Sequence, residues 1–121
     1  MKKIIIDLDN TLTVNKPNTA YNEMPANVAV IERLRYYASK GYEITVFTAR
    51  GMRSYSGDKR NISKYTLPVI LTWLKKHDVP YDQVIIGKPW CSDGFYVDDR
   101  SIRPDEFINM NEQEILNLIE K

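Results

Sequence analysis

The hydrophobic positions of the first fifty residues alternate between strand-like and helix-like spacing. Ile4-Ile5-Ile6 forms a continuous β-branched run within Lys2 to Asp7, which is typical of a strand buried on both faces in the middle of a parallel sheet. From Pro25 to Lys40, apolar residues recur at helical spacing, and Gly41 is well placed to end this helix. A second strand is predicted from Tyr42 to Thr48.

A polar loop and a helical pattern follow the second strand. The loop reads ARGMRSYSGDKR, and the helical pattern runs from about Asn61 to His77. Pro68 lies inside this pattern, and two interpretations remain open. Either the helix is kinked at Pro68, or it starts near Thr66 with Pro68 in its first turn.

The last third of the chain predicts two short strands and one helix. The strands are expected at Gln83 to Ile86 and at Gly94 to Val97, and the helix is capped by Asn111 with Glu114 three residues later. Strands that alternate with helices predict an α/β fold with a central parallel sheet, right-handed crossovers and helices on both faces, a three-layer α/β/α arrangement. The length of 121 residues fits one domain, residues 1–121, without a linker.

Charge and composition narrow the expected partners. The formal net charge is +1, so the chain has no broad electrostatic field for nucleic acid or an anionic membrane. No apolar run is long enough for a membrane span, and the N-terminus lacks a signal-peptide core. The single cysteine, Cys91, has no intrachain disulfide partner and fits a reducing compartment. We therefore expect a cytoplasmic protein that binds a small molecule.

Chemically active side chains follow each predicted strand. In parallel sheets, ligands bind beyond the carboxyl ends of the strands. The residues at these ends are Asp7 and Asp9, then Thr48, then Lys88, and finally Asp98 and Asp99. Acid pairs from two strands would form an oxygen-rich pocket suited to Mg²⁺. A threonine hydroxyl and a lysine ammonium beside that pocket would hold phosphate oxygens.

Four segments in chain order resemble the signature segments of the haloacid dehalogenase (HAD) superfamily: DLDNT, VFTAR, GKP and YVDD. The resemblance extends from Ile4 to Asp99. TARGM, and GKPW preceding YVDDR, also resemble segments of the bacterial capsule-biosynthesis phosphatases. The resemblance implies a Rossmann-like HAD fold and a Mg²⁺-dependent phosphomonoester hydrolase that works through an aspartyl-phosphate. It also implies a small sugar or polyol phosphate of capsule or surface-polysaccharide biosynthesis as the substrate.

The resemblance assigns roles to individual residues. Asp7 would be the nucleophile, and Asp9 would protonate the leaving alkoxide and later accept a proton from water. The magnesium ligands would be Asp7, the backbone carbonyl of Asp9, Asp99, and Asp98 either directly or through water. The substrate-binding residues would be Thr48, Ala49, Arg50 and Lys88. For the loop cations Arg50, Arg53, Lys59 and Arg60, two interpretations remain open: they grip a second anionic group of the substrate, or they form a solvated charged loop.

The spacing of the segments leaves no room for a cap domain. A loop and one helix account for Leu12 to Glu43, and a loop, one helix and a short strand account for Gly51 to Gly87. Capless relatives tend to act on bulky substrates or to close their sites with a neighbouring subunit, so a homo-oligomer is expected. The asparagine-rich segment from Thr13 to Met24, which contains Tyr21, would serve as a small flap.

Two alternative functions remain open. Receiver domains of response regulators also combine acids, a threonine or serine and a lysine on a parallel sheet. Their acid pair follows the first strand, however, whereas in this chain the adjacent pair comes last. A nucleic-acid 3′-end phosphatase would share the capless HAD chemistry, although the near-neutral charge of this chain disfavours a nucleic-acid partner.

Overall fold

The central sheet has three parallel strands in the order β1-β2-β3 in a computed structural model that describes residues 2–120. The strands are β1 (Lys3–Ile6), β2 (Glu43–Thr48) and β3 (Gln83–Ile86). In the register, Ile4 lies beside Ile44, and Val46 lies beside Val84. The first three predicted strands are therefore confirmed to within one residue at each end.

Helices occupy the connections and the C-terminal part of the chain. They are α1 (Val28–Ser39), α2 (Lys59–Asn61), a π-helical turn (Ile62–Thr66), α3 (Leu67–Lys76), α4 (Pro104–Asn109) and α5 (Glu112–Ile119), with a 3-10 turn at Tyr21–Glu23. The predicted capping box of the last helix is present, because the Asn111 side chain accepts from the Glu114 N–H at 2.8 Å and the Glu114 carboxylate accepts in return from the Asn111 N–H. The sequence pattern missed α4.

Pro68 lies in the first turn of α3, as one of the two sequence interpretations has it. Helical residues also precede it, as in the other interpretation, in which the helix runs from about Asn61 through Pro68. The Leu67 N–H donates to the carbonyl of Ile62, five residues back, which closes a π turn instead of an α turn. In a regular α-helix a proline ring collides with the carbonyl four residues earlier. The wider turn directly before Pro68 changes this spacing and lets the helix continue.

Helices α1 and α3 lie on the same side of the sheet, because right-handed crossovers between strands in sequential order place both connections there. Arg35 of α1 links their ends, and its guanidinium donates to the backbone carbonyls of His77 and Asp78 at 3.0 and 3.2 Å. The buried residues of the two helices are Val30, Ile31, Leu34 and Tyr37 in α1 and Ile70, Trp73 and Leu74 in α3. Together with the buried residues of the sheet, they form the core.

The prediction that β1 is buried on both faces, in the middle of the sheet, is wrong. β1 is an edge strand of the described sheet, and the side chain of Ile5 is 63% exposed. The middle strand is β2, in which Ile44 and Val46 are buried. β-branched residues suit edge and central strands alike, so a run of isoleucines predicts a strand but not its place in the sheet.

The predicted fourth strand, Gly94 to Val97, is also wrong, because these residues form no strand. The chain divides into two compact units, Met1–Trp90 and Cys91–Lys121, and the described residues of the second contain α4 and α5 but no strand. Phe95 and Val97 are 80% and 88% exposed. Burial against neighbouring strands is what gives aromatic and β-branched residues their preference for sheets, and these two side chains lack it.

The α/β fold class is confirmed, with a central parallel sheet. Between β1 and β2, the described residues contain only a loop, the 3-10 turn and α1, and between β2 and β3 only a loop and the helical stretch α2 to α3, so no cap domain is present. No helix within residues 2–120 combines the length and the hydropathy needed to span a membrane.

Candidate active site

The loop after β1 presents two carboxylates on either side of a core residue. Leu8 is fully buried, and its carbonyl oxygen accepts hydrogen bonds from the backbone N–H groups of Thr11, Leu12 and Thr13. Leu12 is fully buried as well. The loop therefore forms a tight turn at Leu8. The two acids on either side of Leu8 are half-buried.

Asp7 faces Lys88, which follows the end of β3. The ammonium of Lys88 lies 3.5 Å from Asp7 Oδ1, and the Thr11 hydroxyl donates to Asp7 Oδ2 at 3.4 Å. Burial raises the pKa of the Asp7 carboxyl above its ordinary value of 3.8, and the positive charge of Lys88 opposes this rise. Asp7 therefore carries its negative charge in an environment that favours a nearby cation.

Asp9 is bound by three N–H donors. Arg50 Nη2 donates to Oδ1 at 2.8 Å and Arg50 Nε donates to Oδ2 at 3.1 Å, which makes a bidentate ion pair. The Asn15 side-chain amide donates to Oδ1 at 3.2 Å. Both carboxylate oxygens are thus held in a fixed orientation.

Thr48 connects the end of β2 to the residues that follow β3. The side chain of Thr48 is buried, its hydroxyl accepts from the Arg50 N–H at 3.0 Å, and its carbonyl accepts from the Lys88 N–H at 3.1 Å. Ala49 lies half-buried between Thr48 and Arg50. The backbone contact between Thr48 and Lys88 places Lys88 at the carboxyl ends of the strands, where Asp7 also lies.

Arg50 is buried, so the interpretation as a solvated loop residue is excluded for this cation. The residue is 5% exposed, and its guanidinium carbon Cζ lies 4.1 Å from the ring centroid of Tyr21. By contrast, Arg53 and Arg60 are exposed, and the Arg53 guanidinium lies 5.3 Å from the ring of Trp90. Within the first unit, one continuous network of contacts thus joins Asp7, Asp9, Thr48, Arg50 and Lys88, and Ala49 lies beside it along the chain.

Several members of this network were not predicted. Thr11 and Asn15 bind the two carboxylates, and the only sequence signal for them was the polar segment that follows DLD. Lys59, one of the loop cations for which the sequence left two interpretations open, lies against Gly87 beside this network. Gly87 has φ +91°, and a Cβ atom there would lie 2.7 Å from Lys59 Cε. The glycine directly before Lys88 was the one signal of that close approach.

Asp98 and Asp99 lie in the second unit and are exposed. The backbone N–H of Arg100 donates to Asp98 Oδ1 at 2.8 Å and holds the pKa of that carboxyl below its ordinary value of 3.8. Their predicted role as magnesium ligands together with Asp7 stays a prediction.

The donor set of the first unit fits a hard divalent cation in part. A carboxylate oxygen of Asp7 and the backbone carbonyl of Asp9 are oxygen ligands of the type that Mg²⁺ prefers. Burial makes the unpaired negative charge of Asp7 unfavourable, and a bound cation would offset this cost. Neither unit, in its described residues, contains by itself a group of three or more acidic, histidine or cysteine side chains able to hold a metal ion.

Comparison with solved structures identifies similar folds. A structural-genomics target from Vibrio cholerae is 52% identical, with a TM-score of 0.94 over 99% of this chain and 98% of that one. The D,D-heptose 1,7-bisphosphate phosphatase of B. bronchiseptica, crystallised with magnesium and phosphate, is 15% identical, with a TM-score of 0.54 over 78% of this chain and 54% of that one.

A chain of the Pnkp1/Rnl/Hen1 complex is 20% identical, with a TM-score of 0.54 over 81% of this chain and 30% of that one. No protein-family model and no curated protein matches the sequence. At these identities, the heptose phosphatase and the Pnkp1 complex establish a shared HAD-like fold.

Proposed function

We propose that this chain, which belongs to the same family as the Vibrio cholerae protein and has the HAD fold, is a Mg²⁺-dependent phosphomonoester hydrolase that works through an aspartyl-phosphate. The observation that carries the proposal is the contact between the carboxylate of Asp7 and the ammonium of Lys88, 3.5 Å apart at the carboxyl ends of parallel strands. An acid that attacks phosphorus and a cation that neutralises phosphate oxygens must lie this close.

The first chemical step joins an oxygen of Asp7 to phosphorus while the bond from phosphorus to the leaving oxygen breaks. Asp9 gives a proton to that leaving oxygen. In the second step a water oxygen attacks the same phosphorus, Asp9 accepts the proton of the water, and the bond to Asp7 breaks. Each step leaves Asp9 in the protonation state that the next step requires.

The residues around Asp7 would stabilise the transferred group. Lys88 would balance the negative charge that develops on the phosphoryl oxygens. The Thr48 carbonyl would help to position Lys88, because it accepts the Lys88 backbone N–H. Bound Mg²⁺ would reduce the repulsion between the Asp7 carboxylate and the phosphate. Asp7 and the Asp9 carbonyl are its proposed ligands in the first unit, and sequence resemblance alone supports Asp98 and Asp99 as the others.

We assign the substrate to the class of small sugar or polyol phosphates used in capsule or surface-polysaccharide synthesis. Two observations support this class: the resemblance of TARGM and GKPW to the capsule-biosynthesis phosphatases, and the sugar bisphosphate on which the B. bronchiseptica enzyme acts. A net charge of +1 also suits a small metabolite better than a long polyanion.

The experiment is a phosphate-release assay over sugar, polyol, nucleotide and oligonucleotide phosphates. We expect multiple turnovers on at least one sugar or polyol phosphate with Mg²⁺ and loss of turnover after chelation. An Asp7→Asn variant should stay folded and lose activity, and Asp93→Asn, an exposed acid of the second unit, serves as the matched control. An Asp7→Asn variant as active as the parent would remove the nucleophile assignment.

A nucleic-acid 3′-end phosphatase is the second candidate, favoured by the similarity to a chain of the Pnkp1/Rnl/Hen1 RNA repair complex. In the same assay it predicts strong release from a 3′-phosphorylated oligonucleotide that falls steeply as salt rises. A stable phosphorylated protein without turnover would instead support the receiver-like switch.

A further inference from the structure

Arg50 forms the most completely bound ion pair of the candidate site. Its side chain is 2% exposed, that of Asp9 is 27% exposed, and two parallel N–H donors reach the two carboxylate oxygens. A bidentate pair with one partner removed from water fixes the orientation of the carboxylate more firmly than an exposed pair does. The guanidinium therefore sets the direction in which Asp9 points.

Arg50 also contacts the segment from Thr13 to Met24, here called the flap segment. Tyr21, in the 3-10 turn of this segment, covers the guanidinium at 4.1 Å although its own ring is half exposed. Arg50 Nη1 is buried and has no hydrogen-bond partner among the described residues. The stacked ring excludes water from a guanidinium whose other two nitrogens bind Asp9.

Hydrogen bonds hold both ends of the flap segment, and residues between these ends contact the candidate site. The Val14 N–H donates to the Pro25 carbonyl at 2.8 Å, and the Trp73 indole donates to the Met24 carbonyl at 2.8 Å. Between these anchors the segment meets Asp9 twice, directly through the Asn15 amide and through Arg50 by way of Tyr21. The orientation of Asp9 and the position of the flap segment are thereby coupled.

We propose that Arg50 is a positioning residue that couples the flap segment to the proton-transferring carboxylate of Asp9, rather than a residue that binds the substrate. The inference rests on the proposed phosphatase function. Arg50 acts through Asp9, because its two N–H donors bind the carboxylate that transfers the proton. It acts by keeping the oxygen of Asp9 in line with the leaving oxygen in the first step and with the attacking water in the second.

The kinetic test compares an alkyl phosphate with 4-nitrophenyl phosphate. The alkyl leaving group needs a proton from Asp9, whereas nitrophenolate leaves with its electron pair and needs none. Hydrolysis of the aspartyl-phosphate needs Asp9 as a base with both substrates. In Arg50→Met we expect kcat on the alkyl phosphate to fall by roughly 10²-fold or more, with KM little changed. On 4-nitrophenyl phosphate we expect a burst of one nitrophenolate per protein, followed by slow turnover.

Variants of Tyr21 keep the inference testable if Arg50→Met folds poorly. Tyr21→Ala removes the stacked ring and should lower kcat by about 2- to 30-fold, in line with the strength of a cation–π contact. Tyr21→Phe keeps the ring and should match the parent. Tyr65→Ala is the control, because Tyr65 is 52% exposed against 50% for Tyr21 and stacks on Tyr55 instead of an arginine.

A readout without substrate tests the coupling separately. Backbone hydrogen exchange in the flap segment should speed up in Arg50→Met and stay at the parent rate in Arg60→Met, which removes an exposed cation of α2. Unchanged exchange in Arg50→Met would overturn the inference. So would a raised KM at constant kcat, or an equal loss on both substrates without a burst. If the parent releases phosphate from neither substrate, the proposed function fails, whatever the exchange rates show.

Discussion

The chain carries two pairs of neighbouring acids after apolar segments, and the structure treats them differently. Asp7 and Asp9 follow β1, and Arg50, Asn15, Thr11 and Lys88 bind them. Asp98 and Asp99 follow Phe95-Tyr96-Val97, are exposed, and Asp98 accepts a backbone N–H from Arg100. Burial raises the pKa of Asp7, whereas this hydrogen bond lowers the pKa of Asp98.

The difference arises from the apolar neighbours of each pair. Leu8, between the first two acids, is fully buried, and its carbonyl gathers the following loop. Val97, directly before the second pair, is 88% exposed. The first pair is therefore half-buried and hydrogen-bonded because the apolar residue beside it enters the core, and the second pair is exposed because its apolar neighbour does not.

The largest expected effect is a difference in catalytic activity between variants of the two acid pairs. Asp7→Asn should lower kcat by roughly 10³-fold or more, because the amide is a poor nucleophile. Asp98→Asn should cost about 10- to 100-fold if Asp98 supports the metal through water. Steady-state phosphate release at saturating Mg²⁺ measures both. A loss in Asp98→Asn as large as that in Asp7→Asn would instead indicate a direct ligand.

Replacing the apolar neighbours of the two pairs, Leu8 and Val97, should change the free energy of unfolding by different amounts. Leu8→Ala should lower the free energy of unfolding by about 2–5 kcal/mol, because it leaves a cavity under the loop. Val97→Ala should change it by less than about 0.5 kcal/mol. Urea unfolding followed by circular dichroism measures both. Equal effects would show that burial of the neighbour does not distinguish the two pairs.

Helix caps should show a smaller difference between the units. The Asn111 side chain accepts from the Glu114 N–H at 2.8 Å within a capping box, whereas the Asn27 side chain accepts from Val30 N–H at 3.4 Å. We expect Asn111→Ala to cost about 1 kcal/mol and Asn27→Ala less. The same unfolding experiment measures both variants, and a larger loss in Asn27→Ala would contradict the geometric ranking.

The smallest effect is the pH dependence of stability, which should have opposite signs for Asp7 and Asp98. The folded-state pKa of Asp7 is raised, so the parent loses stability as pH rises from 3.8 through that pKa. Asp7→Asn should therefore be more stable than the parent at neutral pH, with the gain vanishing in acid. The folded-state pKa of Asp98 is lowered, so its contribution is present above 3.8 and lost as pH falls through that pKa.

Asp98→Asn should accordingly be slightly less stable than the parent at neutral pH and equal to it in acid. Unfolding midpoints measured across pH, with a chelator present so that no cation compensates Asp7, test both variants. Parallel pH profiles for Asp7→Asn and Asp98→Asn would contradict the assigned causes of the two pKa shifts.

The sequence predicted the elements whose signals are local. Spacing of apolar residues identified α1, and the residues Asn111 and Glu114 identified the start of α5. The place of β1 at the sheet edge and the absence of a strand at Gly94 to Val97 could not be predicted, because strand pairing and burial depend on partners distant in sequence.

In the site, the residue types were predicted better than their contacts. The meeting of Asp7 and Lys88 followed from the rule that parallel strands end at one edge of the sheet. The pairing of Arg50 with Asp9 could not be predicted, because it joins two loops that lie 41 residues apart in the sequence. The stacking of Tyr21 likewise depends on the path of a loop without regular structure.

The π turn at Ile62–Thr66 has a consequence for protein engineering. It holds one residue more per turn than an α-helix, so deleting a single residue there would restore regular α geometry. The ring of Pro68 would then collide with a carbonyl of the regularised turn. A straight helix therefore requires the deletion and a proline replacement together, and the deletion without the replacement should destabilise the protein.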